Sequence, residues 1–542
     1  VKKALAVLLM MAAGGLRAAV TTEQVTTVSA VSSTTFMGTN VALDSLNTVH
    51  VTYYDPASQR LRYTKLVNGQ TTWSAPINVI DQTVSPRSDM KLSGNTPHVV
   101  FYEIDATGSR AGVKHTQLNG STFQSPTTIQ SFVSTITYVS LAVASNGQPR
   151  VAFNNTVSSA TVYAAYSGTV WSTHTVHISS YPTAVVLDLA SDDTPRLAFL
   201  TGGDSLGLPD DRLGYFAVGG STPTVKGWWP VDWATAPPSG LALAVDDNNQ
   251  SHIFDSYTSG GSPWIEYYLA SSTGGFLNYE PVGGGSEFLD AAVNSLERPT
   301  VVYLSTAPGF SRAAWNGTGW EYSVLDGSAA VAGVGPSVVY NRFDHFLATY
   351  YTTAPAAAVH LQTDANRGLT LGGTVQDFAA AAIPGAVVQL AGSIATGNLP
   401  AGTGSYSQLN LWEGGYTVTP SAAGYAFVPA SQSFASFQAT NTTVNFVGGP
   451  VNIDVADNLF DPSKGEIMTV NYSVLPGAVL VRVYTLRGVP VKTLVDGSHA
   501  AGAFSTTWDG RNDAGEIVAS GIYLIRIEAD RLNKILKAAV VK

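Results

Sequence analysis

No cysteine occurs in the 542 residues. Disulfides, thiolate metal sites and thiol nucleophiles are therefore excluded. Charge is scarce as well: Asp, Glu, Lys and Arg make up 12%, against about 25% in an average soluble chain. So few charges exclude a charged disordered chain and a long coiled coil. Basic residues are the rarer sign, 28 against 38 acids, for a net charge of -10. A nucleic-acid partner needs a basic face, so none is expected. No apolar run reaches the ~18 residues of a membrane-spanning helix, so no transmembrane span is expected. The chain also lacks a Gly-x-Ser-x-Gly elbow, a His-Glu-x-x-His pair and a P-loop. No metal, no cofactor and no recognisable catalytic residue is expected.

What is present points to β structure. The chain has 52 Gly, 24 Tyr and abundant Ser and Thr. Its length corresponds to three or four domains at about 150 residues each. Lys2 and Lys3 precede an apolar run from Ala4 to Leu16, and Arg17-Ala18-Ala19 supplies small residues for cleavage. Residues 1–19 read as a secretory signal peptide, too short to span a membrane. A secreted or cell-surface protein without disulfides must be stabilised by burial and strand pairing alone.

From residue 41 to 362 one pattern recurs: an apolar run, a turn, then a strand of the type Pro-His-Val-x-Tyr. Examples are Val41-Ala42-Leu43 with His50-Val51-Thr52-Tyr53, and Leu141-Ala142-Val143 with Arg150-Val151-Ala152-Phe153. Another is Leu241-Ala242-Leu243 with His252-Ile253-Phe254. There are seven copies at the period of propeller blades. A third strand begins near Arg60, Arg110, Arg212 and Arg312, and a fourth opens on an aromatic such as Trp73, Trp171 or Trp320. The seventh copy ends after Val359-His360-Leu361 without a fourth strand. Gln24 to Val28 is expected to supply it and close the ring, which removes two open sheet edges. His50, His98 and His252 share one repeat position, so an architectural role is expected for them.

Departures from the repeat mark the candidate site. In a four-stranded meander the 2–3 loops and the links between blades share one face. Blade 4 has an enlarged 2–3 loop, Thr201 to Asp211, carrying Asp204, Asp210 and Asp211. Its link to blade 5 carries Trp233, and the 2–3 loop of blade 5 is expected to carry Tyr257 and Trp264. These six residues are the candidate ligand-binding set. Rings stack on the apolar faces of sugars, and carboxylates accept hydrogen bonds from sugar hydroxyls. A decorated surface loop with Trp233 tucked against a neighbour is the alternative.

Beyond residue 366 the pattern changes. Residues 368–450 contain no Lys or Arg. Ile383-Pro384-Gly385-Ala386-Val387-Val388, Gly415-Tyr416-Thr417-Val418 and Gly424-Tyr425-Ala426-Phe427-Val428-Pro429 follow one another. This succession resembles the carboxypeptidase-regulatory-like and Cna protein B-type β-sandwich family, which implies a stalk or spacer. Without lysine, no isopeptide lock forms within the segment. Next come Asn458-Leu459-Phe460-Asp461-Pro462, Val481-Arg482-Val483-Tyr484, Trp508-Asp509-Gly510-Arg511-Asn512 and Ser520-Gly521-Ile522-Tyr523-Leu524. This stretch resembles the Ig-like domain of FlgD-type hook-capping proteins and the C-terminal sorting domains of type IX secretion. The resemblance implies outer-membrane secretion machinery as a partner. Asp509 to Glu516 lacks the alternating acids of a calcium loop and reads as a hairpin turn.

The expected fold class is all-β: a seven-bladed β-propeller followed by two β-sandwich (Ig-like) domains. The expected boundaries are 1–19, 20–366, 367–449 and 450–542. Two functions stay open for the propeller. One is a binding or adhesion module for an extracellular glycan or protein ligand. The other is a divergent glycoside hydrolase or lyase. The Asp boxes and the Arg-Ile-Pro motif of sialidases, which share the propeller form, are absent.

Overall fold

In the computed structural model the chain divides into two compact units, 1–366 and 367–542. The structure describes residues 20–28, 38–104, 111–133, 138–204, 212–217, 224–230, 240–259, 262–273, 275–285, 288–305, 309–328, 335–353, 356–439, 441–450 and 452–542. The signal-peptide reading of 1–19 lies outside them. Among the described residues the sole helical element is a 3-10 turn, Pro462–Lys464. No helix among them is long and apolar enough to cross a membrane.

Short strands buried on both faces, such as Thr39–Leu43 and Val49–Asp55, build the first unit as meanders. In blade 1, Thr39–Leu43, Val49–Asp55, Arg60–Leu66 and Ile77–Asn78 pair in that order. Blades 2, 5 and 6 repeat the scheme from inner strands Val84–Ser93, Gly240–Val245 and Leu289–Val293. Blades 3 and 4 share one continuous 19-residue strand, Trp171–Leu189. Its start is the outer strand of blade 3 and its end the inner strand of blade 4. Blade 7 consists of Ser337–Tyr340, Phe346–Thr352 and Ala358–Thr363, completed by Thr21–Thr27 from the other end of the chain. Thr21 lies opposite Thr363 and Thr27 opposite Ala358. The inner strands neighbour one another in a ring, the seventh against the first. This is a seven-bladed β-propeller.

Side chains tie blade to blade. Around the channel, Asp89 accepts from the Leu141 amide (2.7 Å), Asp188 from Val245 (2.9 Å), Asp290 from Val338 (2.8 Å) and Ser337 from Val41 (3.2 Å). The inner hairpin turns are linked in the same manner. Asp193, Asn249 and Asp344 adopt left-handed backbone, with φ of 61–62°. Each accepts from a serine in the preceding blade's turn: Ser145 (2.8 Å), Ser191 (2.7 Å) and Ser295 (2.7 Å). These turns lie at the opposite strand ends from the 2–3 loops, so one propeller face is cross-linked and the other is free to vary. At the closure, Trp73 Nε1 donates to Glu23 Oε1 (2.7 Å), and the buried Tyr351 hydroxyl both accepts from and donates to the Tyr54 backbone.

The repeated histidines are internal struts. His50 bridges Tyr63 (2.7 Å) and Asp44 (3.3 Å), and His252 bridges Tyr267 (2.8 Å) and Asp246 (3.2 Å). His98 meets His115 at 3.1 Å, and burial pushes them down to about 4 and about 3, so both rings are neutral at physiological pH.

The second unit holds two sandwiches. In the first, Leu369–Asp377 pairs with Ser405–Leu411 and Phe446–Pro450, across from a sheet built on Val387–Gly392 and Gly414–Ser421. Val375, Val388, Tyr416 and Phe446 fill its core. Tyr416 Oη donates to the Trp412 carbonyl at 2.6 Å. A Cβ at Gly373 would overlap the Val444 carbonyl, so only glycine fits there. The second sandwich sets three strands against five around Trp508, Val481, Ile525 and Ile527. Its Asp509–Glu516 segment closes as a turn: the Glu516 amide donates to Asn512 Oδ1 (2.9 Å) and Gly515 has φ 84°.

Candidate functional site

Among the described residues, two places in the propeller concern the site most. The first is the central channel. Lys91 projects into it among Asp89, Asp188 and Asp290 from blades 2, 4 and 6. Its ammonium is surrounded by the blades yet open to solvent along the channel. The charge of Asp89, with those of Asp290 and Asp188, pushes the Lys91 ammonium up against a smaller burial effect. Burial pushes Asp290 up to about 6, with Lys91 opposing. The cavity here is about 110 Å³, below the roughly 300 Å³ where small-molecule sites begin. Its carboxylates are already engaged with backbone amides. The channel therefore has the character of an electrostatic axle, and no described group of three or more acids and histidines is arranged to hold a metal.

The second place is the seam between blades 4 and 5. It shows a break in the repeat that loop lengths do not reveal. On the second strand of every other blade one slot is aromatic: Tyr53, Phe101, Phe153, Phe199, Tyr303 and Tyr350. All six are at most 6% exposed and pack between blades. In blade 5 the slot holds Asp255, which is 0% exposed. Directly across the ladder stands Glu266. Opposed residues in such a pair have Cβ atoms about 5 Å apart.

The two carboxyls differ in environment. Glu266 accepts from Tyr268 Oη at 2.7 Å and from the Tyr279 hydroxyl. Neither oxygen of Asp255 accepts a hydrogen bond from another residue. Burial, reinforced by the charge of Glu266, pushes the Asp255 carboxyl well above its ordinary value. Asp255 shares its sheet face with Ile253, and Glu266 shares that face with Tyr268. Ile253 and Tyr268 pack on Ala198, Leu200 and Leu213 of blade 4. The seam is thus apolar apart from the acid pair.

Two of the six residues expected from sequence reach this seam. Tyr257 and Trp264 lie on strands Ser251–Ser259 and Ser262–Ala270, where they form a directly opposed pair. They were expected in a loop. The strands run on past them, with Ser259 still paired to Ser262. By alternation they share the face of Asp255 and Glu266, two residues nearer the variable face of the propeller. Trp264 is 41% exposed and lies opposite Gly284, which leaves that flank of the indole uncrowded. Tyr257 is half-buried. Tyr279, also 41% exposed, meets Tyr268 with ring centroids 5.4 Å apart. Asp204 ends strand Pro195–Asp204, its backbone opposite Ser179. Asp210, Asp211 and Trp233 lie outside the described residues.

Comparison with known proteins adds the following. Residues 464–532 match the family model of the FlgD Ig-like domain, in line with the resemblance read from Asn458 onward. No curated protein matches the chain. A Dyadobacter fermentans protein of unknown function is 12% identical, with 64% of this chain and 98% of that one covered at a TM-score of 0.41. An α-L-arabinofuranosidase of Fusarium graminearum is 11% identical, covering 63% and 97% at 0.40. The Aleuria aurantia lectin is 12% identical, covering 56% and 98% at 0.38. Likenesses this distant assign no activity to the chain.

Proposed function

We propose that the protein is an exported or cell-surface carbohydrate-binding protein whose propeller grips a glycan at the blade 4–blade 5 seam. The observation that carries this reading is the exposed Trp264 ring, opposed to Tyr257 and placed beside a buried carboxylate pair. An exposed indole on a rigid strand offers a flat apolar platform, and the carboxylates offer acceptors behind it. The first sandwich serves as a stalk and the FlgD-like domain as a sorting or anchoring element. The acid pair does not favour a hydrolase. Its members stand side by side on one sheet face, whereas glycosidase carboxyls flank a bound sugar.

The test is retention of the full-length protein on a panel of cell-surface and environmental polysaccharides, scored together with new reducing or unsaturated ends. The reading expects retention without new ends, and a loss of about tenfold or more in affinity for Trp264→Ala. New ends would replace it with an enzyme. Unchanged retention by W264A would move the site elsewhere on the propeller.

A further inference from the structure

Six blades fill the inter-blade slot with an aromatic ring, and blade 5 fills it with Asp255. Such a replacement forfeits apolar burial and strands a carboxyl in the core. Local rules broken without structural compensation mark positions held for function. Structural compensation is missing here: neither Asp255 nor Glu266 forms an ion pair with a described residue, and Asp255, 0% exposed, has no hydrogen-bond donor from any other residue. What the seam lacks is a cation.

We infer that the glycan taken at this seam carries a primary ammonium, as an amino sugar does, and that the ammonium sits against Glu266 with Asp255 behind it. The inference rests on the carbohydrate reading above and narrows its ligand class. An ammonium supplies three donors and a positive charge, where a neutral sugar hydroxyl supplies one donor and no charge. The surrounding rings, Tyr257, Trp264 and Tyr279, present faces that attract cations. Tyr279 is partly exposed, so its hydroxyl can leave Glu266 when a stronger donor arrives. Asp255 touches no ligand in this arrangement. It is a positioning residue: its carboxyl, protonated in the free protein, releases that proton as the ammonium arrives, and its charge then strengthens the field at Glu266. A metal ion is a poorer occupant, because the lining is aromatic and only two carboxylates converge.

The experiment compares full-length protein binding to fully deacetylated glucosamine oligomers, to their N-acetylated counterparts and to polylysine. The expected result is tighter binding of the deacetylated oligomer by about tenfold or more. Asp255→Asn and Glu266→Gln should each shrink that preference, whereas W264A should weaken both oligomers alike. Equal binding of the two oligomers overturns the inference and leaves the carbohydrate reading standing. An unchanged preference in D255N and E266Q also overturns it. Polylysine bound as well as the amino sugar shows recognition of charge alone and overturns the sugar assignment. No retention of any glycan overturns both readings. D255N is nearly isosteric and removes a buried carboxyl, so its melting temperature should not fall, which separates lost recognition from lost fold.

Discussion

Replacing Asp255 by phenylalanine restores the aromatic that six blades carry, and its effect on stability can be worked from the structure. A buried carboxyl without partners costs about 1–3 kcal/mol. Burying a phenylalanine ring contributes about 1.5–3 kcal/mol. Together D255F should stabilise the propeller by roughly 3–5 kcal/mol, less whatever strain the larger ring meets. For a unit of about 350 residues, 1 kcal/mol corresponds to roughly 1–1.5 °C, so the propeller transition should rise by about 4–6 °C. The gain should also depend on pH. The Asp255 carboxyl is raised in the folded state, so the folded protein holds a proton that the unfolded chain has released above about pH 4. Its contribution is fully present below the unfolded value and fades as pH rises through the folded one. The gain from D255F should therefore be larger near pH 8 than near pH 5. Differential scanning calorimetry at both pH values reads this directly. A lower transition at both, or a pH slope that survives in D255N, would refute the reasoning.

Other predictions concern the ring and the stalk. Lys91→Met removes the cation among Asp89, Asp188 and Asp290. It should cost about 1 kcal/mol near pH 8, a figure kept small because channel water screens the ammonium. The loss should shrink near pH 5, where Asp290, pushed up to about 6, takes up a proton instead; thermal melts at both pH values would show it. Deleting residues 20–28 removes the outer strand of blade 7 and the Glu23 bond to Trp73. The variant should melt lower and self-associate through the exposed edge of Ala358–Thr363, as light scattering would show. Tyr416→Phe removes the buried hydrogen bond to the Trp412 carbonyl and should cost about 1 kcal/mol in the second unit by chemical denaturation.

The propeller was legible because each blade repeats the same burial pattern, so weak strand signals reinforced one another. The FlgD-like domain was legible from short dense stretches such as Trp508-Asp509-Gly510. The acid pair was missed for a physical reason. Attention to loop length finds insertions, whereas Asp255 changes nothing in length. It is a substitution at a fixed place inside a strand, visible only when the seven second strands are laid in register. Glu266 gains its meaning solely from the cross-strand pairing with Asp255. Tyr257 and Trp264 follow the repeated segment and so read as loop residues, whereas the ladder carries both strands past them to the Ser259–Ser262 pair. The channel group is not legible in sequence, because Met90-Lys91-Leu92 looks like any alternating strand until the ring brings Asp188 and Asp290 round to face it.

The pairing of Thr21 with Thr363 spans 342 positions of the chain. During synthesis the first strand of the propeller therefore emerges long before its partner exists. Six blades can form hairpin by hairpin from local contacts, but the seventh stays incomplete until the last one is made. Closure is then a single late event, in which a leading segment finds the final hairpin. Until that moment Ala358–Thr363 and Thr21–Thr27 each present an unpaired edge. The interval between the two is when the chain is most exposed to the wrong partner.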